Sequence, residues 1–271
     1  MKDNYIVGII GAGNMGEALI KGLLRSNLVR SYEIITSAHS TKRVRFLEKT
    51  YGVHTTRNNL SVTSACDTLI LAVKPQDIQA VARQIRPALT DDHLVISIAA
   101  GVDSTYLRKL IGTKPRIIRV MPNLPALIDE GISAIYCGPR MPERYRRFAH
   151  QIFQAVGQTV DVHNEKLMDV ITGLSGTGPA YFFAMMEALY KTGIKLGLTS
   201  QMSKLLTLQT AVGSTVMALQ TGTDPKELRR LVTSKKGTTW AAMKLLQRKN
   251  FWKMMEDAIR AATTRARQLR K

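Results

Sequence analysis

Four segments of this 271-residue chain have residue types and spacings that can do chemistry. Gly11-Ala-Gly-Asn-Met-Gly16 follows the apolar run Tyr5-Ile-Val-Gly-Ile-Ile10 and precedes a helical pattern marked by Ala18, Leu19 and Leu23. Between a strand and a helix, G-x-G-x-x-G is a dinucleotide-binding turn. Gly11 allows the tight turn, Gly13 lets the backbone approach a pyrophosphate, and Gly16 lets helix pack close to strand. The helix start, Asn14, Met15 and Gly16, then offers unpaired N–H groups to the anion.

The second segment is the tip of the next strand, Ile35-Thr36-Ser37. An NAD enzyme would place an acid about 20 residues beyond the glycines, on the ribose 2′-hydroxyl. Ser37, His39, Ser40, Thr41, Lys42 and Arg43 stand there instead. Hydroxyls and cations suit a 2′-phosphate, with Ser37, Lys42 and Arg43 as its expected partners. NADPH is therefore the expected cofactor, with NADH left open. The third segment is a pair of strand ends, Ala72-Val73-Lys74-Pro75 and Met121-Pro-Asn123, at the sheet edge where ligands bind. The fourth is Ser234-Lys-Lys-Gly-Thr-Thr239. A helix starting after Gly237 presents N–H groups, and Ser234, Thr238 and Thr239 add hydroxyls, so this loop can hold an anion or simply cap the helix.

The elements that position these residues follow from periodicity. Strand candidates are 5–10, Glu33–Ser37, Thr68–Val73, Leu94–Ala99 and Arg116–Val120, with Ile132–Tyr136 and Thr159–Val162 added at the edge. Helical stretches such as Thr41–Tyr51 and Pro75–Leu89 lie between them, which predicts a doubly wound parallel sheet. After His163-Asn164 only helical patterns remain: Glu165–Leu174, Pro179–Leu196, Ser200–Thr221, Pro225–Val232, Thr239–Arg248 and Phe251–Gln268. Gly197 and Gly222 stop two of them, and Pro225 suits a first turn. The expectation is α/β: a Rossmann-type dinucleotide-binding domain over 1–163, then an all-helical dimerisation and substrate-binding domain over 164–271.

The composition is ordinary for a folded protein apart from 39 Lys and Arg against 20 Asp and Glu, a net charge of +19. The excess is spread, +11 over 165–271 and +8 over the rest, and its densest stretches lack interleaved aromatic residues. That argues for a solvated basic surface rather than a nucleic-acid interface. No apolar run reaches the ~18 residues of a membrane helix, and the N-terminus lacks a signal-peptide pattern. Cys66 and Cys137 sit among apolar residues and are expected in the core. Histidines 39, 54, 93, 150 and 163 are scattered without metal-ligand spacing. A cytoplasmic protein without a metal, nucleic-acid or membrane partner is expected.

Gly173-Leu-Ser-Gly-Thr-Gly-Pro-Ala-Tyr181 and Leu231-Val-Thr-Ser-Lys-Lys-Gly-Thr-Thr239 complete a set. With the glycine turn, Val73-Lys74-Pro75 and Met121-Pro122-Asn123, they strongly resemble pyrroline-5-carboxylate reductases, in order over nearly the whole chain. The resemblance implies reduction of 1-pyrroline-5-carboxylate to proline by NAD(P)H, the last step of proline biosynthesis. It implies helical domains that interlock into homodimers, which often build decamers. Ser234, Gly237, Thr238 and Thr239 would hold the substrate carboxylate, Gly176, Thr177 and Gly178 would line the same pocket, and Asn123 and Lys74 would flank the nicotinamide. The family usually has Ser-Pro-Gly-Gly-Thr-Thr in the carboxylate loop, whereas this chain has Lys235 and Lys236. Lysine tolerates positive φ poorly compared with glycine, so a changed loop shape is an expectation.

Such a reaction needs positioning above all, because the cofactor supplies the hydride and a protonated imine is already electrophilic. The proton for nitrogen could come from Thr239, water or pre-protonated substrate. Two other readings stay open: a reductase of another cyclic imine, motivated by Lys235 and Lys236, and a catalytically idle nucleotide-sensing regulator. The intact Ser234, Gly237, Thr238 and Thr239 disfavour the regulator.

Overall fold

Eight short strands alternate with helices up to Val162, and from there the chain is helical. They were traced in a computed structural model that describes residues 6–269. Tyr5 of the expected first strand and the end of the basic 265–271 stretch lie outside the described residues. The strands are β1 (Val7–Ile10), β2 (Ile34–Ser37), β3 (His54–Thr56), β4 (Thr68–Leu71), β5 (Leu94–Ser97), β6 (Arg116–Met121), β7 (Gly131–Cys137) and β8 (Gly157–Val162). Between them run α1 (Asn14–Arg25), α2 (Thr41–Tyr51), α3 (Asn59–Ala65), α4 (Ile78–Ile85), α5 (Ser104–Ile111) and α6 (Glu143–Gln154). The helical part holds α7 (Leu167–Ile171), α8 (Gly178–Lys195), α9 (Ser200–Thr221), α10 (Pro225–Leu231), α11 (Thr238–Arg248) and α12 (Phe251–Gln268).

The sheet order is β3-β2-β1-β4-β5-β6-β7-β8. The first six strands are parallel, as expected, while β7 turns antiparallel against β6 and β8 runs parallel to β7. β1, β2, β4 and β5 are buried along their whole length. That is why they read as mainly apolar rather than alternating, with the hydroxyls of Thr36, Ser37, Thr68 and Ser97 buried at or next to strand ends. Alternate residues feed two cores. Ile9, Ile70, Ile96 and Ile118 pack with α1 and α6, and Ile10, Leu71, Val95 and Ile117 pack with α3, α4 and α5. Cys66 and Cys137 are both buried, and burial pushes their thiols up to about 12 and about 11, so they are inert.

The described chain divides into two compact units, residues 6–177 with 260–269, and residues 178–259. The first unit extends beyond the 163 boundary expected from the loss of strands. Met168 of α7 packs with Ala134 and Val162 in a small core on the sheet. Glu165 also anchors the segment: its carboxylate takes hydrogen bonds from Ser104 N–H (2.7 Å), Ser104 Oγ (2.7 Å) and Arg119 Nη1 (2.8 Å). Burial raises the Glu165 pKa, but the Ser104 bonds and the Arg119 guanidinium outweigh it and hold the carboxyl below its ordinary value.

In the second unit the punctuation is local. Thr199 caps α9 by accepting from Met202 N–H (3.2 Å), and Asp224 caps α10 by accepting from Lys226 N–H (2.8 Å). Pro225 occupies the first turn of α10 and Gly222 the C-cap of α9. The long helices bury little: Gly178 in α8, Ser203 and Thr207 in α9, and no residue in α10 or α11.

Candidate active site

The glycine turn lies at the carboxyl end of β1, between β2 and β4, where the strand order reverses direction. Open α/β sheets bind ligands at this point. Gly11 has φ +94°, and a Cβ there would lie 2.4 Å from Val73 Cγ1 and 2.9 Å from Val73 N. The turn therefore needs glycine for its conformation and for close passage of Ala72-Val73. A Cβ on Gly16 would meet Gly11 O at 2.8 Å, whereas one on Gly13 would meet nothing within 4 Å. Gly13 is thus open on its outer side and N-caps α1 without any side-chain cap bond. The first N–H groups of α1, at Asn14, Met15 and Gly16, are available to an anion. This cradle fits a dinucleotide pyrophosphate.

A cavity of about 110 Å³ adjoins the turn, with Gly11, Ser37, His39, Arg57, Asn59 and Val73 in its wall. Ser37 Oγ donates to Asn59 Oδ1 (2.6 Å), and Asn59 Nδ2 donates to Gln84 Oε1 (2.7 Å). Arg57 Nε donates to His39 O (3.2 Å). Among the described residues, no Asp or Glu lines this cavity. Arg57 and Asn59 escaped the sequence reading, since β3 is three residues long and His54-Thr-Thr56 gives no strand signal.

Arg43 and Lys42 are placed differently from each other. Lys42 is exposed on α2. Arg43 folds back onto the glycine turn, where Nε donates to Ala12 O (2.7 Å) and Nη2 to Gly13 O (3.2 Å), and it pairs with Glu17. Tyr51 OH donates to Glu17 Oε1 (2.7 Å). Burial raises the Glu17 pKa, and the bonds from Tyr51 and Arg43 overcome it, so the carboxyl stays below its ordinary value. Arg43 thereby fastens the turn from outside.

At the other strand ends, Lys74 is exposed and Pro75 opens a short 3₁₀ turn. Asn123 Oδ1 accepts from Ile132 N–H (2.9 Å), which fixes the side chain against the start of β7. The Gly173–Gly178 segment forms a π-helical turn over Thr172–Gly176, a bulge frequent at functional sites. Thr177 N–H and Oγ1 both donate to Thr172 O, at 2.8 and 3.0 Å. A Cβ on Gly176 would meet Met121 Cε at 2.6 Å. The structure thus brings the Met121-Pro-Asn123 turn and the Gly173–Thr177 segment together.

The Ser234–Thr239 loop keeps a defined shape despite its two lysines. Gly237 N–H donates to Ser234 O (3.1 Å), closing a β-turn with Lys235 and Lys236 at its centre. Lys236 has φ +63°, and Lys235 is not among the positive-φ residues. That is the pattern of a type II turn, whose preferred central pair is proline then glycine. Lys236 thus occupies, within a closed turn, a conformation that favours glycine. A Cβ on Gly237 would meet Ser234 Oγ at 2.3 Å, so Gly237 lets that hydroxyl tuck in. Gly237 N-caps α11 without a side-chain cap bond. The Thr238 and Thr239 N–H groups therefore open the helix toward an anion.

The sheet order and the glycine turn define a Rossmann-type dinucleotide-binding protein with a helical C-terminal part. Residues 165–269 match the family described as pyrroline-5-carboxylate reductase dimerisation, and residues 6–101 match NADP oxidoreductase coenzyme F420-dependent. A pyrroline-5-carboxylate reductase from Pseudomonas aeruginosa is 38% identical, over 97% of this chain and 96% of that one. The structure of one from Coxiella burnetii superposes with TM-score 0.90 at 36% identity, covering 98% of this chain and 99% of the other. A Plasmodium falciparum pyrroline carboxylate reductase with NADP bound gives TM-score 0.90 at 28% identity, covering both chains fully. The chain belongs to the pyrroline-5-carboxylate reductase family.

Proposed function

We propose that this protein reduces 1-pyrroline-5-carboxylate to L-proline, with NADPH preferred over NADH. Beyond family membership, the observation that carries this is the Ser234–Thr239 loop. It combines a closed turn, a tucked serine hydroxyl and an uncapped helix start, with Lys235 and Lys236 at the centre of the turn.

Gly11, Gly13, Asn14, Met15 and Gly16 hold the pyrophosphate on the α1 N-terminus, and Ser37 faces the adenosine ribose. Ala72-Val73-Lys74-Pro75 and Asn123 flank the nicotinamide. When bound, the cofactor supplies hydride from C4 of its nicotinamide to the imine carbon, and a proton adds to nitrogen. Ser234, Thr238 and Thr239, with the α11 N–H groups, pair the substrate carboxylate, which is costly to leave unpaired once desolvated. Thr177, its hydroxyl hydrogen committed to Thr172 O, shapes the wall through its π-turn.

The second unit exposes Phe182, Met185, Leu205, Val212 and Leu219, with Leu219 77% accessible. A run of apolar residues on this scale marks an association surface, and the matched dimerisation family supports a homodimer as the working unit, with a decamer as its higher assembly. The protein acts in the cytoplasm; no helix among the described residues is long and apolar enough to cross a membrane. Steady-state NADPH oxidation tests the assignment. Turnover with 1-pyrroline-5-carboxylate and formation of proline is expected. Turnover only with another cyclic imine, or cofactor binding with none, would overturn it.

A further inference from the structure

Two arginines lie near the expected site of the adenosine ribose, and they do different work. Arg43 is committed inward to two carbonyls of the glycine turn and to Glu17. Its charge is matched by a carboxylate and its Nε and Nη2 are already engaged. Lys42 is exposed and does not line the cavity. Arg57 does line it, beside Ser37, His39 and Asn59. Only its Nε is engaged, with the neutral carbonyl of His39, and no described carboxylate forms a salt bridge with it. Its fork of terminal N–H donors therefore remains for a ligand. A planar guanidinium with free donors suits a phosphate in two-point contact. Among the described residues, the cavity wall contains no acid to receive a ribose hydroxyl and repel phosphate.

We propose that Arg57 is the specificity-determining cation for the 2′-phosphate of NADPH, with Ser37 and Asn59 as its neutral neighbours. Arg43 is instead a positioning residue that holds the glycine turn for either dinucleotide. The assignment rests on the NADPH reading given under the proposed function, and it moves the expected 2′-phosphate role from Lys42 and Arg43 to Arg57.

The decisive probe is calorimetry on the intact protein with adenosine 2′,5′-bisphosphate and adenosine 5′-monophosphate, which needs no substrate. The native protein binds the bisphosphate more tightly, and Arg57→Gln removes that advantage. A loss of roughly 10- to 150-fold is expected for a charge-assisted phosphate contact. Arg57→Lys, which keeps the charge without the fork, falls between. Steady-state kinetics adds a second readout: Arg57→Gln lowers the ratio of NADPH to NADH kcat/KM by the same factor. Arg43→Lys lowers both efficiencies together and leaves the ratio standing. Unchanged bisphosphate binding in Arg57→Gln, or a selective loss in Arg43→Lys, would overturn the proposal. Absence of pyrroline-5-carboxylate turnover together with intact bisphosphate discrimination would overturn the reductase assignment and leave Arg57 in place.

Discussion

Replacing Lys236 with glycine is expected to stabilise the protein, because the native lysine pays for its position in the carboxylate loop. Lys236 has φ +63° at the third position of a turn closed by Gly237 N–H on Ser234 O at 3.1 Å. A residue with a Cβ loses about 1–2 kcal/mol in the left-handed region. Glycine avoids that but gives up roughly 0.5–1 kcal/mol through the greater freedom of its unfolded chain. The difference favours Lys236→Gly by about 0.5–1 kcal/mol, a rise in Tm of roughly 1–4 °C for a chain of this size. Melting is to be compared at one protomer concentration, since association adds to apparent stability. Two controls separate conformation from charge. Lys236→Ala removes the charge and keeps the Cβ, so it should melt with the native protein. Lys236→Asn, whose side chain tolerates the left-handed region better, should fall between alanine and glycine. If alanine stabilises as much as glycine, crowding of cations is the cause. If glycine stabilises nothing, the strained turn is not there.

Thr239→Ala removes one donor from the carboxylate grip, so kcat/KM for 1-pyrroline-5-carboxylate should fall roughly 5- to 150-fold, while NADPH affinity measured by fluorescence titration holds. Glu165 is held below its ordinary pKa, so its stabilising contribution is complete above the unfolded value near 4.3 and is lost as pH falls through the lower folded value. Glu165→Gln should therefore cost about 1.5–3 kcal/mol at pH 7 in denaturant unfolding and show a flatter acid limb than the native protein; an equally steep limb would place the acid sensitivity elsewhere. Sedimentation equilibrium at micromolar concentration should show dimers or larger species, and a folded species of only 30.1 kDa would refute the association surface on the second unit.

Elements with strong local punctuation were legible to the residue. Ser200–Thr221 and Phe251–Gln268 match the helical patterns end to end, and Gly222 marks the end of the former in the sequence itself, whereas its Thr199 cap is seen only in the structure. The glycine turn follows from its G-x-G-x-x-G spacing, and the parallel strands beside it from short, mainly apolar runs. What escaped depends on partners distant in sequence. β3 has no apolar signature and exists because Ile35–Ser37 offers it a parallel edge, so Arg57 and Asn59 went unnoticed. Arg43 looks like a surface cation in a helical pattern, and only tertiary folding reveals Glu17 and two carbonyls 26 to 31 residues away. The π-turn at Thr172–Gly176 differs from an α-helix in hydrogen-bond register rather than in residue spacing. The antiparallel direction of β7 likewise depends on how the Asn123–Glu130 loop turns. The unusual lysines of the carboxylate loop are visible in the sequence, but the turn they form is a property of the backbone.

The central claim is hydride transfer from the nicotinamide to the imine carbon of 1-pyrroline-5-carboxylate, and isotope transfer tests it most directly. NADPH carrying deuterium at both C4 positions is incubated with the protein and 1-pyrroline-5-carboxylate in ordinary water, and the product is read by mass spectrometry and NMR. The account predicts proline with a single deuterium, located at C5, in equal amount to the NADP⁺ formed. Proline without deuterium, deuterium at another carbon, or NADPH consumption without proline would contradict it.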